Sequence, residues 1–274
     1  MEKYSGKISI PLLGTIVYKR RNPIITAISK EKVFFEISYE KTGDGKNYLK
    51  VNGVKFEKTL EKFLSEYLEG IGETGVHVEV NIISYPKYFE ISTYASLSGL
   101  LMKILGEKLG YEVTFDDIIK YSPLLETGET LNYLPIIMAL RISSLIGKSV
   151  IYRLNEGYIE LPSKTPLKVH VASLNTPLVS RRIENNEFKD YFVHLEGRNI
   201  IESARLIREE KIPYENIVFE EAMQYVFYVI EETVNLNVYF KSKCLAFPDL
   251  NYKTTLLCLD KPGTESEAEI TVYL

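Results

Sequence analysis

The chain is poor in the side chains that build the commonest reactive centres. Its three histidines, His77, His170 and His194, are scattered, and its two cysteines, Cys244 and Cys258, fall in separate predicted strands without metal-type spacing. A zinc site is therefore not expected, and no metal ligand set is assigned. Both cysteines read as buried, reduced thiols. Glutamine is scarcer still: Gln224 stands alone, while lysine and glutamate are abundant. That balance suggests a thermophile, and in hyperthermophiles an intracellular disulfide is an open alternative for the two cysteines. No apolar stretch is long enough to span a bilayer. Met1–Gly6 is polar and is not read as a secretion signal. A cytoplasmic protein without a membrane partner is the expectation.

Basic excess is missing too. The net charge is −4 and the pI is about 5.6, which argues against a nucleic-acid partner. The densest basic group, Lys19-Arg20-Arg21, precedes Pro23. It reads as a solvated turn, or alternatively as a cation cluster beside an anion site. What the chain does have is length: 274 residues, 45% hydrophobic, suffice for one large or two modest domains.

Strand patterns come first, at Ile8–Leu13, Ile24–Ser29, Val33–Glu40 and Tyr48–Val54. Residues 43–47 (GDGKN) and the pair Asn52-Gly53 look like hairpin punctuation. Phe56–Gly70 is an amphipathic helix with Leu60, Phe63, Leu64, Tyr67 and Leu68 on one face. After the alternating strand His77–Ile83 and a loop, an apolar helix spans Leu97–Leu109, with Gly110 as its C-cap. Thr114 caps a short helix with early acids, and Leu131–Ile146 is a further helix, with Pro135 tolerated in its first turn. Val150–Arg153 and Tyr158–Leu161 form a hairpin, and Pro162–Pro166 reads as a linker. Then follow strand Leu167–Leu174, helices near Asn199–Glu210 and Glu215–Val234, and strands Val238–Phe247, Lys253–Leu259 and Glu269–Tyr273. Strands mixed with paired helices in both halves indicate α+β rather than a doubly wound sheet.

The loop Tyr85–Gly99 (YPKYFEISTYASLSG) carries the functional question. A strand, small hydroxylated residues and a helix N-terminus make a usual phosphate cradle, because free N–H groups and the helix dipole face the anion. Such loops normally use glycine for close backbone approach. This one has almost none, and it carries Glu90. Glu90 is either a dipole-stabilising acid or an obstacle to phosphate.

The order of these pieces resembles the GHMP kinase superfamily, over most of the chain and more in layout than in identities. Gly6-Lys7 and the run from Leu12 to Pro23 look like its first motif. Pro86, Ile91, Thr93, Tyr94, Ala95 and Ser96 stand at positions of its second, Pro-x-x-x-Gly-Leu-(Gly/Ala)-Ser-Ser-Ala-(Ala/Ser), with Glu90 and Ser92 in place of glycines. Three details look more like the diphosphomevalonate decarboxylase branch, with mevalonate 3-kinases as further kin. They are Tyr48–Gly53, Ser144-Leu-Ile-Gly147, and Phe247-Pro-Asp-Leu-Asn251, which sets Asp249 at that branch's catalytic aspartate. The Gly-x-x-Ser-Gly-x-Asp motif of mevalonate kinases is missing, Ser143 stands where the decarboxylase has arginine, and glycines are missing around Asn251–Thr255.

The resemblance implies a two-domain α+β fold: a ribosomal protein S5 domain 2-like half over residues 1–162 and a ferredoxin-like half over residues 163–274. In an active member, Asp249, Lys7 and Arg141 are the catalytic candidates. Ser92, Thr93, Tyr94, Ala95 and Ser96 would hold ATP with Mg²⁺, and Lys19, Arg20, Arg21 and Ser144 would hold a mevalonate-like phosphorylated acid. Two alternatives follow. One is an ATP-dependent decarboxylase or small-molecule kinase of isoprenoid metabolism. The other, favoured by the loss of glycines at both sites, is a non-catalytic homologue without normal ATP binding or any cofactor. It would bind a small anionic metabolite or a protein partner, a second copy included. Arg141, on an apolar helix, is expected to be paired rather than free, and Asp249 reads equally as part of a turn.

Overall fold

The computed structural model describes residues 2–15, 23–180, 186–230, 243–262 and 268–274. Their organising element is one long strand. β1 (Glu2–Leu13) and β2 (Ile24–Lys41) pair antiparallel from Glu2↔Ile37 to Leu13↔Ile25. The two predicted segments at Ile24–Ser29 and Val33–Glu40 are therefore a single strand. The strand runs on through Lys30–Lys32, where hydrophobic alternation is lost and the register with β1 shifts between Lys7 and Ser9.

β3 (Tyr48–Asn52) and β4 (Val76–Ser84) flank helix α1 (Glu57–Gly70) in sequence. β4 pairs antiparallel with β2, and β3 pairs parallel with β4. The expected hairpin at residues 43–47 is thus not formed. The chain leaves the β2 edge, with Gly43 and Gly45 at positive φ, and returns on the far side of β4. α1 then supplies the crossover that a parallel pair requires. The five apolar residues assigned to one face of α1 are all buried.

Helix α2 runs from Glu90 to Leu109 and ends at Gly110 in the left-handed conformation. It begins seven residues before the expected Leu97, so most of the supposed loop is helix. Thr93, Tyr94 and Ala95 are buried there, and without glycines nothing holds these residues open. α3 (Phe115–Tyr121) has the anticipated Thr114 cap, closed reciprocally by Asp117. A 3-10 turn (Ser122–Leu125) leads to the predicted Leu131–Ile146 helix, which is broken into α4 (Glu129–Asn132) and α5 (Leu134–Ile146) with Pro135 in the first turn of α5. β5 (Val150–Arg153) and β6 (Gly157–Glu160) form the expected hairpin.

The remaining elements are β7 (Pro166–Leu174), β8 (Leu178–Ser180), α6 (Asn186–Arg208), α7 (Tyr214–Phe227), β9 (Tyr228–Ile230), β10 (Cys244–Asp249), β11 (Lys253–Cys258) and β12 (Ala268–Tyr273). α6 starts 13 residues before the predicted Asn199, and α7 gives way to β9 before the predicted Val234. Among the described residues one sheet joins both halves in the order β10-β11-β7-β12-β2-β4-β3, with β12 meeting β2 at Val272↔Ser29. One core lies between β1, β2, β4 and helices α1, α2 and α5. A second joins Ile10, Leu12 and Phe89 to Leu167, Ile200, Phe247 and Ile270, so it draws on both halves. No helix among the described residues is long and apolar enough to cross a membrane.

The cysteines are buried as expected but not reduced: Cys244 and Cys258 form a disulfide. They are direct cross-strand partners in the β10–β11 pair. Register of this kind brings two side chains together, and it cannot be read from spacing alone.

Candidate functional site

The site forms where β10 delivers its last residue to the start of α2. The residue before α2 is Phe89, whose side chain cannot cap a helix, so the first N–H groups need acceptors from elsewhere. Asp249 supplies them. Its Oδ1 accepts the Ile91 N–H at 2.7 Å, and its Oδ2 accepts the Glu90 N–H at 3.2 Å. Oδ1 also accepts the Leu250 N–H at 2.9 Å, and Thr255 Oγ1 lies 2.8 Å from Oδ2. The carboxyl group is 1% exposed. Burial pushes it up to about 6, against the pull of these donors, and the Glu90 charge adds to the rise.

Glu90, also 1% exposed, is held by the same hairpin. Lys253 Nζ donates to Oε1 at 2.9 Å and Asn251 Nδ2 donates to Oε2 at 2.6 Å, while Lys55 Nζ stands 4.0 Å from Oε1. The tip between β10 and β11 places Asn251 and Tyr252 at positive φ. Asparagine tolerates that region; tyrosine is strained there. The Glu129 carboxylate of α4 fixes the strained turn by accepting the N–H groups of Asn251 at 3.1 Å and Tyr252 at 3.0 Å. Asp249 itself ends the strand; the turn follows it.

The residues matched to a phosphate loop occupy the first turns of α2, where the hydroxyls of Thr93, Tyr94 and Ser96 are engaged internally. Ser92 Oγ is buried without a hydrogen-bond partner. Thr93 Oγ1 donates to the Phe89 carbonyl at 3.1 Å, and Ser96 Oγ donates to the Lys7 carbonyl at 2.8 Å. Ala95 is buried in the core. Tyr94 lies edge-on to Phe56 and Phe63, with its hydroxyl donating to Glu126 Oε2 at 2.8 Å.

Arg141 is fully buried and ion-paired with Glu126. Its Nη2 donates to Ser98 Oγ at 2.7 Å, and its guanidinium lies 5.0 Å from the centre of the Phe63 ring. Gly99 makes room for it: a Cβ there would sit 2.9 Å from Arg141 Cγ. Ser98 is eight residues along α2 from Glu90, about 12 Å at helical rise. The structure therefore brings Asp249 together with Glu90, and Arg141 together with Tyr94, as separate clusters. Lys7 is exposed, with Nζ 3.4 Å from the Gly147 carbonyl, and Ser144 Oγ lies 3.0 Å from Ser9 Oγ. Lys19, Arg20 and Arg21 lie outside the described residues.

The sequence reading missed Lys253, Lys55, Thr255, Glu126 and Glu129. One signal was available: a helix preceded by Phe89 rather than Ser, Thr, Asp or Asn needs its cap from a distant part of the chain.

A triphosphate does not fit this cradle as it stands. The N–H groups that would face it are satisfied by Asp249, and the two carboxylates would oppose it.

No family model and no curated protein matches the sequence. Solved structures do match the fold. The L. major mevalonate kinase, solved with R-mevalonate, superposes with a TM-score of 0.65 at 10% identity, covering 100% of this chain and 96% of that one. A Streptococcus pneumoniae phosphomevalonate kinase, in complex with phosphomevalonate and AMPPNP, gives 0.55 at 9% identity over 95% and 93%. The Streptococcus pyogenes mevalonate pyrophosphate decarboxylase gives 0.58 at 12% identity over 99% and 96%. The chain thus has the two-domain fold of these enzymes, the one the resemblance implied.

Proposed function

We propose that this chain is a non-catalytic relative of the GHMP kinases and diphosphomevalonate decarboxylases, which keeps their fold to bind a ligand or a protein partner. The observation that carries this reading is the Asp249 carboxylate seated on the Glu90 and Ile91 N–H groups. A helix N-terminus presents roughly half a positive charge, and here an internal anion takes it. An entering phosphate would have to displace Asp249 and then face Glu90. Repulsion between like charges about 4 Å apart is roughly 4 kcal/mol at intermediate dielectric. That lowers affinity by about three powers of ten. Lys253 and Lys55 face Glu90 and offset part of that repulsion, so the figure is an upper bound and the seated Asp249 is the main obstacle. The division at residues 162 and 163 is kept as part of the same proposal.

A second reading rests on the same residue. Asp249 stands at the decarboxylase branch's aspartate position and lies against α2, where a catalytic group would belong. Under that reading the chain is an ATP-dependent decarboxylase or small-molecule kinase acting on a mevalonate-like phosphorylated acid, and Asp249 moves off the helix when Mg-ATP enters.

Isothermal titration of the full chain with Mg-ATP and with ADP separates the two. The non-catalytic reading expects no binding at millimolar nucleotide. Micromolar affinity overturns it. Asp249→Ala sharpens the result: with the internal anion removed, inorganic pyrophosphate is expected to bind detectably to the variant and not to the parent chain.

A further inference from the structure

The opposite end of α2 carries a cavity of about 610 Å³. Tyr67 and Ile71 from the end of α1, Met102 of α2, Val113, Tyr121 and Leu124 supply its apolar wall. Met102 is twelve residues along α2 from Glu90, about 18 Å away at helical rise, so this cavity is separate from the cradle described above. Its volume falls within the ~300–1,000 Å³ range of sites for small organic molecules.

Two features distinguish it from ordinary loose packing. The first is a buried polar group. Tyr67 is 4% exposed, yet its hydroxyl has no hydrogen-bond partner. Phenylalanine would fill the same space without that cost. The ring is also held in place: a Cβ on Gly106 would lie 2.8 Å from Tyr67 Oη and 2.1 Å from Val113 Cγ2. Only a glycine on α2 lets both side chains approach so closely. Burial pushes the phenol up to about 12, so it remains a donor near neutral pH.

The second feature is the charge of the lining. Its charged members are Glu112 and Asp117, both acidic. The Thr114 hydroxyl and N–H hold the Asp117 carboxyl below its ordinary range, so it is ionised. Lys120, the cation on α3, sits 5.1 Å from the centre of the Tyr121 ring. Tyr111 at the rim already donates to Glu73. Anions are disfavoured by this lining, and one donor is left to be met.

We infer that this cavity binds an uncharged, mostly apolar small molecule carrying one hydrogen-bond acceptor, which meets the Tyr67 hydroxyl. The inference does not rest on the non-catalytic reading, since nucleotide titration probes the other end of α2.

Nile red tests it, being uncharged, apolar and equipped with a carbonyl acceptor. Fluorescence titration of the full chain is expected to show saturable binding of one dye per chain at micromolar concentration. Tyr67→Phe should weaken it about five- to tenfold, the worth of one neutral hydrogen bond. Gly70→Trp should weaken it, because Gly70 lines the cavity and a bulky side chain there narrows it. The anionic dye 1-anilinonaphthalene-8-sulfonate should bind at least tenfold more weakly than Nile red. Urea unfolding confirms that both variants are folded. Absence of saturable binding to the parent chain overturns the inference, as does equal affinity in the parent chain and Tyr67→Phe, or in the parent chain and Gly70→Trp.

Discussion

The two ends of helix α2 receive opposite treatment. At the N-terminal end every charge has a partner: Asp249 takes the free N–H groups, and Glu90 is met by Lys253 and Asn251. Each end keeps one buried hydroxyl unmet, Ser92 in close packing at the N-terminal end and Tyr67 beside an apolar cavity at the C-terminal end. One structural neighbour, the Streptococcus pneumoniae phosphomevalonate kinase, was solved with phosphomevalonate and AMPPNP. The lesson is physical. A helix N-terminus must have acceptors whether or not a ligand is present, and here an internal carboxylate supplies them.

The largest expected effect comes from the Arg141–Glu126 pair, which packs against the middle of α2 through Ser98 and Tyr94. Arg141→Ala leaves Glu126 buried without its cation, and removing one partner of a buried pair costs about 3–5 kcal/mol. The urea midpoint should fall accordingly. Arg141→Met combined with Glu126→Gln should recover much of the loss, because no unpaired charge remains. Arg205→Ala, which breaks exposed pairs on α6, should leave the midpoint within error. Hydrogen exchange reads the comparison directly. If Arg141→Ala releases amides at both ends of α2, the helix is one unit; release at one end alone means the ends are independent.

The next effect isolates the sealed end. Burial raises the Asp249 carboxyl to about 6 in the folded chain, above an unfolded value of about 3.9. A raised folded value means that the folded state holds the proton more tightly. The stabilising contribution is therefore complete below about pH 4 and is lost as pH rises through about 6. Linkage limits it to about 3 kcal/mol. Asp249→Asn should flatten the stability profile between pH 4 and 6 relative to the parent chain. Glu221, raised to about 7, and Glu220, raised well above its ordinary value by burial and Glu196, keep their own slopes in both proteins. An unchanged difference across that window would show that the Asp249 carboxyl does not titrate there.

Much of this architecture was legible from periodicity. The buried face of α1, the alternation in β4 and the Thr114 cap follow from neighbours within four residues of one another. The parallel pairing of β3, the Cys244–Cys258 bond and the seat of Asp249 depend on register between distant segments. Asp249 and Glu90 are 159 residues apart in sequence. The bonding of Asp249 could not be read from the residues around it. Glu90 shows the same limit: an acid in a first helical turn is ordinary, and only the hairpin brings Lys253 to it.

The smallest expected effect belongs to the open end, and it separates a ligand group from a structural one. Tyr67→Phe removes a hydroxyl that makes no hydrogen bond. If the hydroxyl served the fold, its loss would lower stability by about 1 kcal/mol, the usual net worth of a hydrogen bond. An unmet buried hydroxyl predicts the opposite sign. The variant should unfold at the same urea concentration as the parent chain or slightly higher, since a desolvated polar group has been exchanged for hydrogen. Stability retained while Nile red affinity falls assigns the hydroxyl to recognition. A matching loss of both would return Tyr67 to the core and erase the difference between the two ends of α2.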